Sequence, residues 1–218
     1  MKALRAWLCT AGLALAPLLS CAAPMGFKDS QMAMLDMGTN WRDVSVNHAF
    51  SARDALGAGA LWMRSDDRKS VLELTEVNVT RLLARWNEEH SQGNLWFVGG
   101  VGTVRDARGN QFSGSRTLWA PGVQADFETT RVYFSANARL YRAAGVRRDY
   151  AALRAGFSFF EAEYEETQPW LVLEVRRMRG LSQSPEVTPM LRLINKGWFV
   201  EAGVNRQGQG RANAMYIF

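Results

Sequence analysis

Apolar and polar residues alternate along most of the chain from Asp43 onward. The apolar positions of the clearest segment are Val132, Phe134, Ala136, Ala138 and Leu140. Each residue between them is polar or a tyrosine. Because successive side chains of a β-strand point to opposite faces, this pattern predicts strands with one apolar and one polar face. The same alternation recurs in segments 43–47, 153–159, 171–176, 187–193 and 198–205.

Turn-forming residues separate these segments, as in 51–54, 128–130, 195–197 and 207–210. The chain therefore predicts about a dozen strands of about 8–12 residues each, with no convincing helix. Glycine and apolar residues blur the two faces in segments 30–37, 55–64 and 94–104. If there are twelve strands, the first must come from about residues 25–36.

Two all-β architectures fit this alternation. A soluble β-sandwich would turn its apolar faces inward, whereas a membrane barrel turns them outward to lipid. The polar face combines Arg, Glu, Asn and Gly and contains very little Lys. Arginine and glutamate can pair across a crowded lumen, so this composition favours the barrel.

The first residues have the pattern of a secretory signal. Lys2 and Arg5 precede an apolar stretch over 6–19, and small residues follow at 20–23. We expect a signal peptide over residues 1–22 and a single barrel domain over 23–218. Two alternatives are a lipoprotein signal, in which Cys21 would be lipidated, and a buried N-terminal helix.

Composition and charge exclude several classes of protein. Apolar residues make up 47% of the 218 residues, which disfavours disorder. After the N-terminus, no apolar run reaches the roughly 18–20 residues of a membrane-spanning helix. The net charge of +5 falls to +3 if the signal is removed, with 24 basic and 21 acidic residues remaining. This charge is too small to indicate a nucleic-acid partner.

The chain ends on Tyr216, Ile217 and Phe218. This ending resembles the assembly signal of bacterial outer-membrane β-barrel proteins, with Tyr216 and Phe218 as its aromatic positions. The resemblance implies recognition by the barrel-assembly machinery. Together with the signal and the alternating segments, it predicts a closed antiparallel transmembrane β-barrel of about twelve strands in the bacterial outer membrane.

The predicted connections differ in length and charge between the two ends of this barrel. Longer loops are expected at 65–70, 105–116, 143–149, 180–185 and 206–210. These loops and their edges, where Arg211 lies, are rich in arginine, while the opposite turns are rich in glutamate. A basic outer rim suits the phosphates of outer-membrane lipid and lipopolysaccharide. Alternatively, arginine is simply the common solubilising residue of these loops.

The predicted inner faces carry a set of charged residues. The expected lumen network comprises Asp43, Glu76, Asp126, Arg139, Arg154, Glu174, Arg176, Arg192 and Glu201. Acids and arginines on neighbouring strands can pair. Such a network either plugs a narrow barrel or lines a small polar pore.

Methionines cluster near the mature N-terminus. Met32, Met34 and Met37 lie within six residues of one another, and thioether sulfur is a soft ligand that selects Cu(I). The alternative is that these residues fill gaps in an apolar surface. Segments 24–30, 128–131, 168–174 and 191–196 resemble a little-characterised proteobacterial family associated with copper and heavy-metal resistance clusters. This resemblance implies a role in copper tolerance and brings no catalytic residues with it.

These observations lead to one main functional hypothesis and two alternatives. The main hypothesis is a non-enzymatic outer-membrane barrel that acts as a small channel for a small solute or a metal ion, copper in particular. The first alternative is a lipid-modifying or lipid-hydrolysing barrel with His48 as its base, which would need a nearby serine. The second is a structural barrel with a plugged lumen.

Overall fold

The computed structural model describes residues 24–163 and 165–218. The predicted signal peptide, with Cys9, Cys21 and the cleavage site, lies outside the described residues. Within the described ranges, no helix is long and apolar enough to cross a membrane.

Twelve antiparallel strands form one closed barrel, as the sequence predicts. The strands are β1 (Gln31–Gly38), β2 (Trp41–His48), β3 (Asp54–Arg64), β4 (Val71–Asn87), β5 (Ser91–Asp106), β6 (Ser115–Thr129), β7 (Val132–Ala143), β8 (Val146–Ser158), β9 (Gln168–Arg179), β10 (Glu186–Asn195), β11 (Trp198–Val204) and β12 (Gly210–Ile217). Each strand pairs with its neighbours in sequence, and β1 pairs with β12 to close the ring.

Closure extends to the end of the chain. Met32 lies opposite Ile217, and Met34 lies opposite Met215. Beyond them, the backbone N–H of Gln31 donates to the carbonyl of Phe218 at 2.8 Å, and the N–H of Phe218 donates back at 2.9 Å. The barrel therefore has no open strand edge at this seam, as a hydrocarbon environment requires.

Several predicted boundaries are wrong. β1 begins at Gln31, because residues 24–30 turn into the end of the barrel instead of extending the strand. The expected loop at 143–149 is only a two-residue hairpin at 144–145, where Gly145 has a φ of +74°. The strands span 7 to 17 residues, because charged residues such as Arg105 and Arg148 continue the strands past the apolar band.

The outside of the barrel is apolar along the middle of its strands. Typical outward residues are Val77, Val123, Leu153, Leu173 and Val200, which are between 42% and 61% exposed. A soluble sheet would hide such residues, whereas a transmembrane barrel turns them to lipid. This exterior excludes the soluble sandwich and places the barrel in the outer membrane.

The two ends of the barrel differ. Phe218 lies at the end with the turns 49–53, 88–90, 130–131, 159–167 and 196–197, which we call the terminal end. The other end, which we call the loop end, carries the loops 65–70, 107–114, 180–185 and 205–209. In bacterial outer-membrane barrels, the turns face the periplasm and the longer loops face outward.

The two residues of the predicted assembly signal belong to an aromatic stack on the exterior at the terminal end. The ring of Tyr216 lies 4.4 Å from that of Trp198 and 5.6 Å from that of Phe218. Aromatic residues at this level form the interfacial girdle of transmembrane barrels.

Candidate functional site in the barrel lumen

All nine residues of the predicted lumen network lie on the inner wall. They occupy the same face of their strands as the fully buried residues, because the strand period of two keeps them on the side opposite to the lipid. They do not form one continuous network: seven of them fall into two charged groups, and Asp126 and Asp43 lie outside both.

The largest group connects β8, β9, β10 and β11. The guanidinium of Arg154 donates to Glu174 at 2.6 Å and to Glu201 at 3.0 Å. Arg192 donates from Nε to the other oxygen of Glu201 at 2.7 Å. Glu174, Glu201 and Arg192 are at most 1% exposed. Their charges are tolerable in this environment only because they are paired and hydrogen-bonded.

Four further charged residues join this group, and the Nε of Arg176 lies 4.0 Å from Glu174. Arg211 donates to Glu174 at 3.1 Å and also pairs with Asp36, while Arg176 pairs with Glu186 at 2.7 Å. The expectation that Arg211 belongs to the outer rim is wrong, because β12 begins at Gly210 and turns this side chain inward. The sequence pattern does not place Asp36 in the lumen, because apolar residues blur the two faces of β1. Asp36 lies two residues after Met34, on the same face of the strand, and this spacing is the signal that could have placed it there.

Arg192 also contacts the aromatic wall at the terminal end. Its guanidinium lies over the ring of Tyr133 at 4.3 Å and over that of Phe199 at 4.7 Å. These cation–π contacts supplement its ion pair with Glu201. They connect the charged layer to an apolar cluster that contains Trp170 and Met190.

The second charged group extends along the inner wall from β7 to β4. Arg139 pairs with Glu76 at 2.6 Å, although β5 and β6 lie between their strands. Glycines make this reach possible. A Cβ at Gly122 would lie 3.0 Å from Cγ of Arg139, and one at Gly100 would lie 2.8 Å from its Nη2. The arginine therefore lies flat across a glycine track.

Asp126 and Asp43 stand apart from these pairs. Asp126 accepts hydrogen bonds from Asn94 at 2.6 Å and from the indole of Trp96 at 2.9 Å, near the terminal end. Asp43 lies near the pair of Arg139 and Glu76 but forms no ion pair within the described residues. The inner wall consequently carries a carboxylate that no arginine neutralises directly.

A cavity of about 210 Å³ lies between the two charged groups. It extends from Pro24 at the terminal end to Trp41, Tyr141 and Tyr150 nearer the loop end. Charged side chains from both groups line it, namely Asp36, Arg154, Glu76 and Arg139, and Asp43 lines it as well. The cavity can therefore hold water or a small polar solute.

Apolar side chains fill the interior at the loop end, contrary to the expectation of a uniformly polar inner face. Trp41 lies 5.8 Å from Tyr141 and 5.1 Å from Tyr150, between ring centroids. Leu72, Met178 and other buried residues pack with these three rings in one cluster. Near the loop end of β4, the buried residues Leu72 and Leu74 alternate with the outward residues Glu73 and Thr75, and this signal could have revealed an apolar inner face.

The loops hold this apolar cluster in place. Phe112, from the loop 107–114, is only 6% exposed and belongs to the cluster. Gln111 donates to the hydroxyl of Ser70 in the neighbouring loop, and Asp66 accepts from the backbone N–H of Gln183 across the barrel mouth at 3.1 Å. The loop end is thus sealed by side chains and by connections between loops.

The structure separates the three predicted copper ligands. Met32 and Met34 point inward, whereas Met37 lies on the lipid-facing side and is 37% exposed. Met190 and Met215 join Met32 and Met34 in one inner cluster. Within the described ranges, no group of three or more His, Cys, Asp or Glu side chains could hold a metal ion.

His48 lies on the outward face at the terminal end of β2. Its register partners are Gln31 and Leu56. Two serines are equally near in sequence: Ser45 lies on the inward face of β2, and Ser51 has its hydroxyl hydrogen-bonded to Asp54 at 3.0 Å. The structure therefore does not bring Ser51 and His48 together as a catalytic pair.

The buried network makes a prediction for stability. Replacing Glu174 by Ala would leave Arg154 and Arg211 without a shared carboxylate, so we expect a loss of about 3–5 kcal/mol of unfolding free energy. The matched control is Glu73→Ala, because Glu73 pairs with Arg105 on the exposed exterior and should contribute about 0–1 kcal/mol. Denaturant unfolding in lipid vesicles measures both, and equal losses would contradict a buried network.

Comparisons with known proteins give distant structural likenesses. No protein-family model and no curated protein matches the chain. A KdgM porin in complex with disordered oligogalacturonate is 15% identical, with a TM-score of 0.49, over 87% of this chain and 98% of that chain. Another KdgM porin structure is 14% identical, with a TM-score of 0.48 and the same coverage. OmpTΔL8, a loop-deletion mutant of an outer-membrane protein of Vibrio cholerae, is 9% identical, with a TM-score of 0.32, over 87% and 97%.

Proposed function

We propose that the protein is a narrow, gated outer-membrane channel for small polar solutes and cations. The observation that supports this proposal most is the charged cavity, which extends from the terminal end and ends at Trp41, Tyr141 and Tyr150. The described conformation is then the closed state, and the aromatic residues are the gate.

The charges on the wall favour cations over anions. Asp36 and Glu76 are each paired with an arginine, and Asp43 adds a carboxylate without an ion-pair partner among the described residues. An excess of carboxylates along a narrow, low-dielectric passage attracts cations and repels anions. On the same side of the passage, Gly100 and Gly122 let the side chain of Arg139 lie flat against the wall.

The gate can be tested by removing its aromatic rings. In planar bilayers, we expect the wild type to conduct weakly and the double variant Trp41→Ala/Tyr150→Ala to show a severalfold larger, cation-selective conductance. Loss of two large rings removes the contacts that close the cavity at the loop end. The measurement is single-channel conductance, together with reversal potential in a salt gradient.

A matched control removes a Trp and a Tyr from the other end of the cavity. Tyr133→Ala/Trp170→Ala leaves the loop-end cluster intact, so its conductance should stay at the wild-type level. If neither double variant conducts, although heat-modifiable migration shows that both are folded, the channel is refuted. That result would favour the alternative of a structural barrel with a plugged lumen.

A second candidate function is Cu(I) binding in metal tolerance, which the inner methionine cluster favours. Met34 and Met215 are register partners on adjacent strands, and Met32 and Met190 belong to the same cluster. Several thioethers on one wall supply the soft donor set that Cu(I) prefers. Met37 has no part in this candidate site, because it points to lipid.

The methionine site can be tested by Cu(I) titration of the folded barrel. Met32→Leu/Met34→Leu preserves the apolar volume but removes two sulfur atoms, so it should abolish tight Cu(I) binding. Met37→Leu is the control and should bind as the wild type does. Equal binding by all three proteins would exclude Cu(I) coordination by this cluster.

A further inference from the structure

A wide apolar groove crosses the lipid-facing surface from β4 to β9. Its volume is about 670 Å³. The apolar side chains on its outward lining are Trp86, Ala125, Phe127, Phe134, Ala136, Leu153, Ala155, Leu173 and Val175, and Glu88 and Ser91 lie at its terminal end. Alanines at the centre of this set leave a depression between the larger side chains at its edges.

Four arginines lie on the same outward surface, directly beyond the groove toward the loop end. Arg142 and Arg147 face each other across β7 and β8, and Arg177 and Arg179 follow along β9. Asp149 is the carboxylate that pairs with Arg142 and with Arg179, the latter at 3.2 Å. Arg147 and Arg177 form no ion pair within the described residues and are exposed.

The groove and the arginines are continuous. Leu153 and Val175 are register partners inside the groove, and the next outward pair along the same strands is Ala151 and Arg177. Two residues on one face of a strand are about 7 Å apart, so the guanidinium of Arg177 begins where the apolar lining ends.

We propose that this surface binds a phosphate-bearing lipid of the outer leaflet, with one acyl chain in the groove and its phosphate groups on Arg177, next to the groove, and on Arg147, farther toward the loop end. Guanidinium groups bind phosphate through paired, charge-assisted hydrogen bonds. The acyl chain gains contact with the groove where flat barrel walls offer less surface. Binding needs both parts, because the groove alone accepts any lipid and the arginines alone accept any anion.

A second copy of the chain is a poorer occupant of the same surface. A symmetric dimer brings the same patch of both subunits together. Four arginines and one carboxylate from each subunit would then meet at the edge of the interface, with a large excess of like charge. A phosphorylated lipid neutralises this charge instead.

The test measures retention of two lipids with the same acyl chains, bisphosphorylated lipid A and its dephosphorylated form. Native mass spectrometry of the purified, folded barrel counts the lipids that remain bound. We expect the wild type to retain the phosphorylated form at least about tenfold better, since only that form accepts charged hydrogen bonds from the two guanidinium groups.

Two double variants test the two parts of the site separately, and a third serves as the control. Arg147→Gln/Arg177→Gln should lower retention of the phosphorylated lipid to the level of the dephosphorylated one. Ala136→Leu/Ala155→Leu, which fills the groove, should weaken both lipids. Arg108→Gln/Arg206→Gln removes two exposed arginines from loops away from the groove and should change neither. Heat-modifiable migration checks that each variant is folded.

Three results would overturn the proposal. The first is equal retention of the two lipids by the wild type. The second is an equal loss in the control variant, which would indicate general attraction by the basic loop end. The third is a protein dimer that the arginine substitutions abolish, since it would assign the surface to a second copy.

Discussion

The structure depends on one constraint, which is that hydrocarbon supplies no hydrogen-bond partner to the backbone. The chain meets it by pairing β1 with β12 up to the last residue, where Gln31 and Phe218 exchange backbone hydrogen bonds. Closure gives every strand one face to lipid and one to the interior. The apolar exterior, the short turns and the need to fill the interior all follow from this closure.

The interior is filled differently at its two ends. Toward the loop end, Trp41, Tyr141 and Tyr150 pack with aliphatic side chains and leave no passage. Toward the terminal end, buried ion pairs around Glu174 and Glu201 occupy one side and leave a charged cavity on the other. Beside this cavity, Gly100 and Gly122 let Arg139 lie flat and reach Glu76. A filled loop end beside an open charged cavity supports the proposed passage with a closed gate.

The sequence predicted the exterior better than the interior. Outward residues such as Phe134 and Leu173 must be apolar for lipid, so their period of two survives in the sequence. The residue type at an inner position depends on its neighbours across the lumen, and these neighbours are distant in sequence. Leu61 and Leu74 face inward although they are apolar, and Arg211 pairs with Asp36 over 175 residues. No local pattern encodes such partners, and the face of Met37 was lost in the blurred pattern of β1.

Sided accessibility of the lumen tests the central claim most directly. The only two cysteines are Cys9 and Cys21, outside the barrel domain, so one cysteine at Asn137 reports on the cavity. A membrane-impermeant maleimide added outside intact cells should leave Asn137→Cys unlabelled but label Asn110→Cys in the exposed loop. The same reagent should label Asn137→Cys once the periplasm is opened. Labelling of Asn137→Cys from outside, at the rate of the loop cysteine, would contradict a barrel sealed at its loop end.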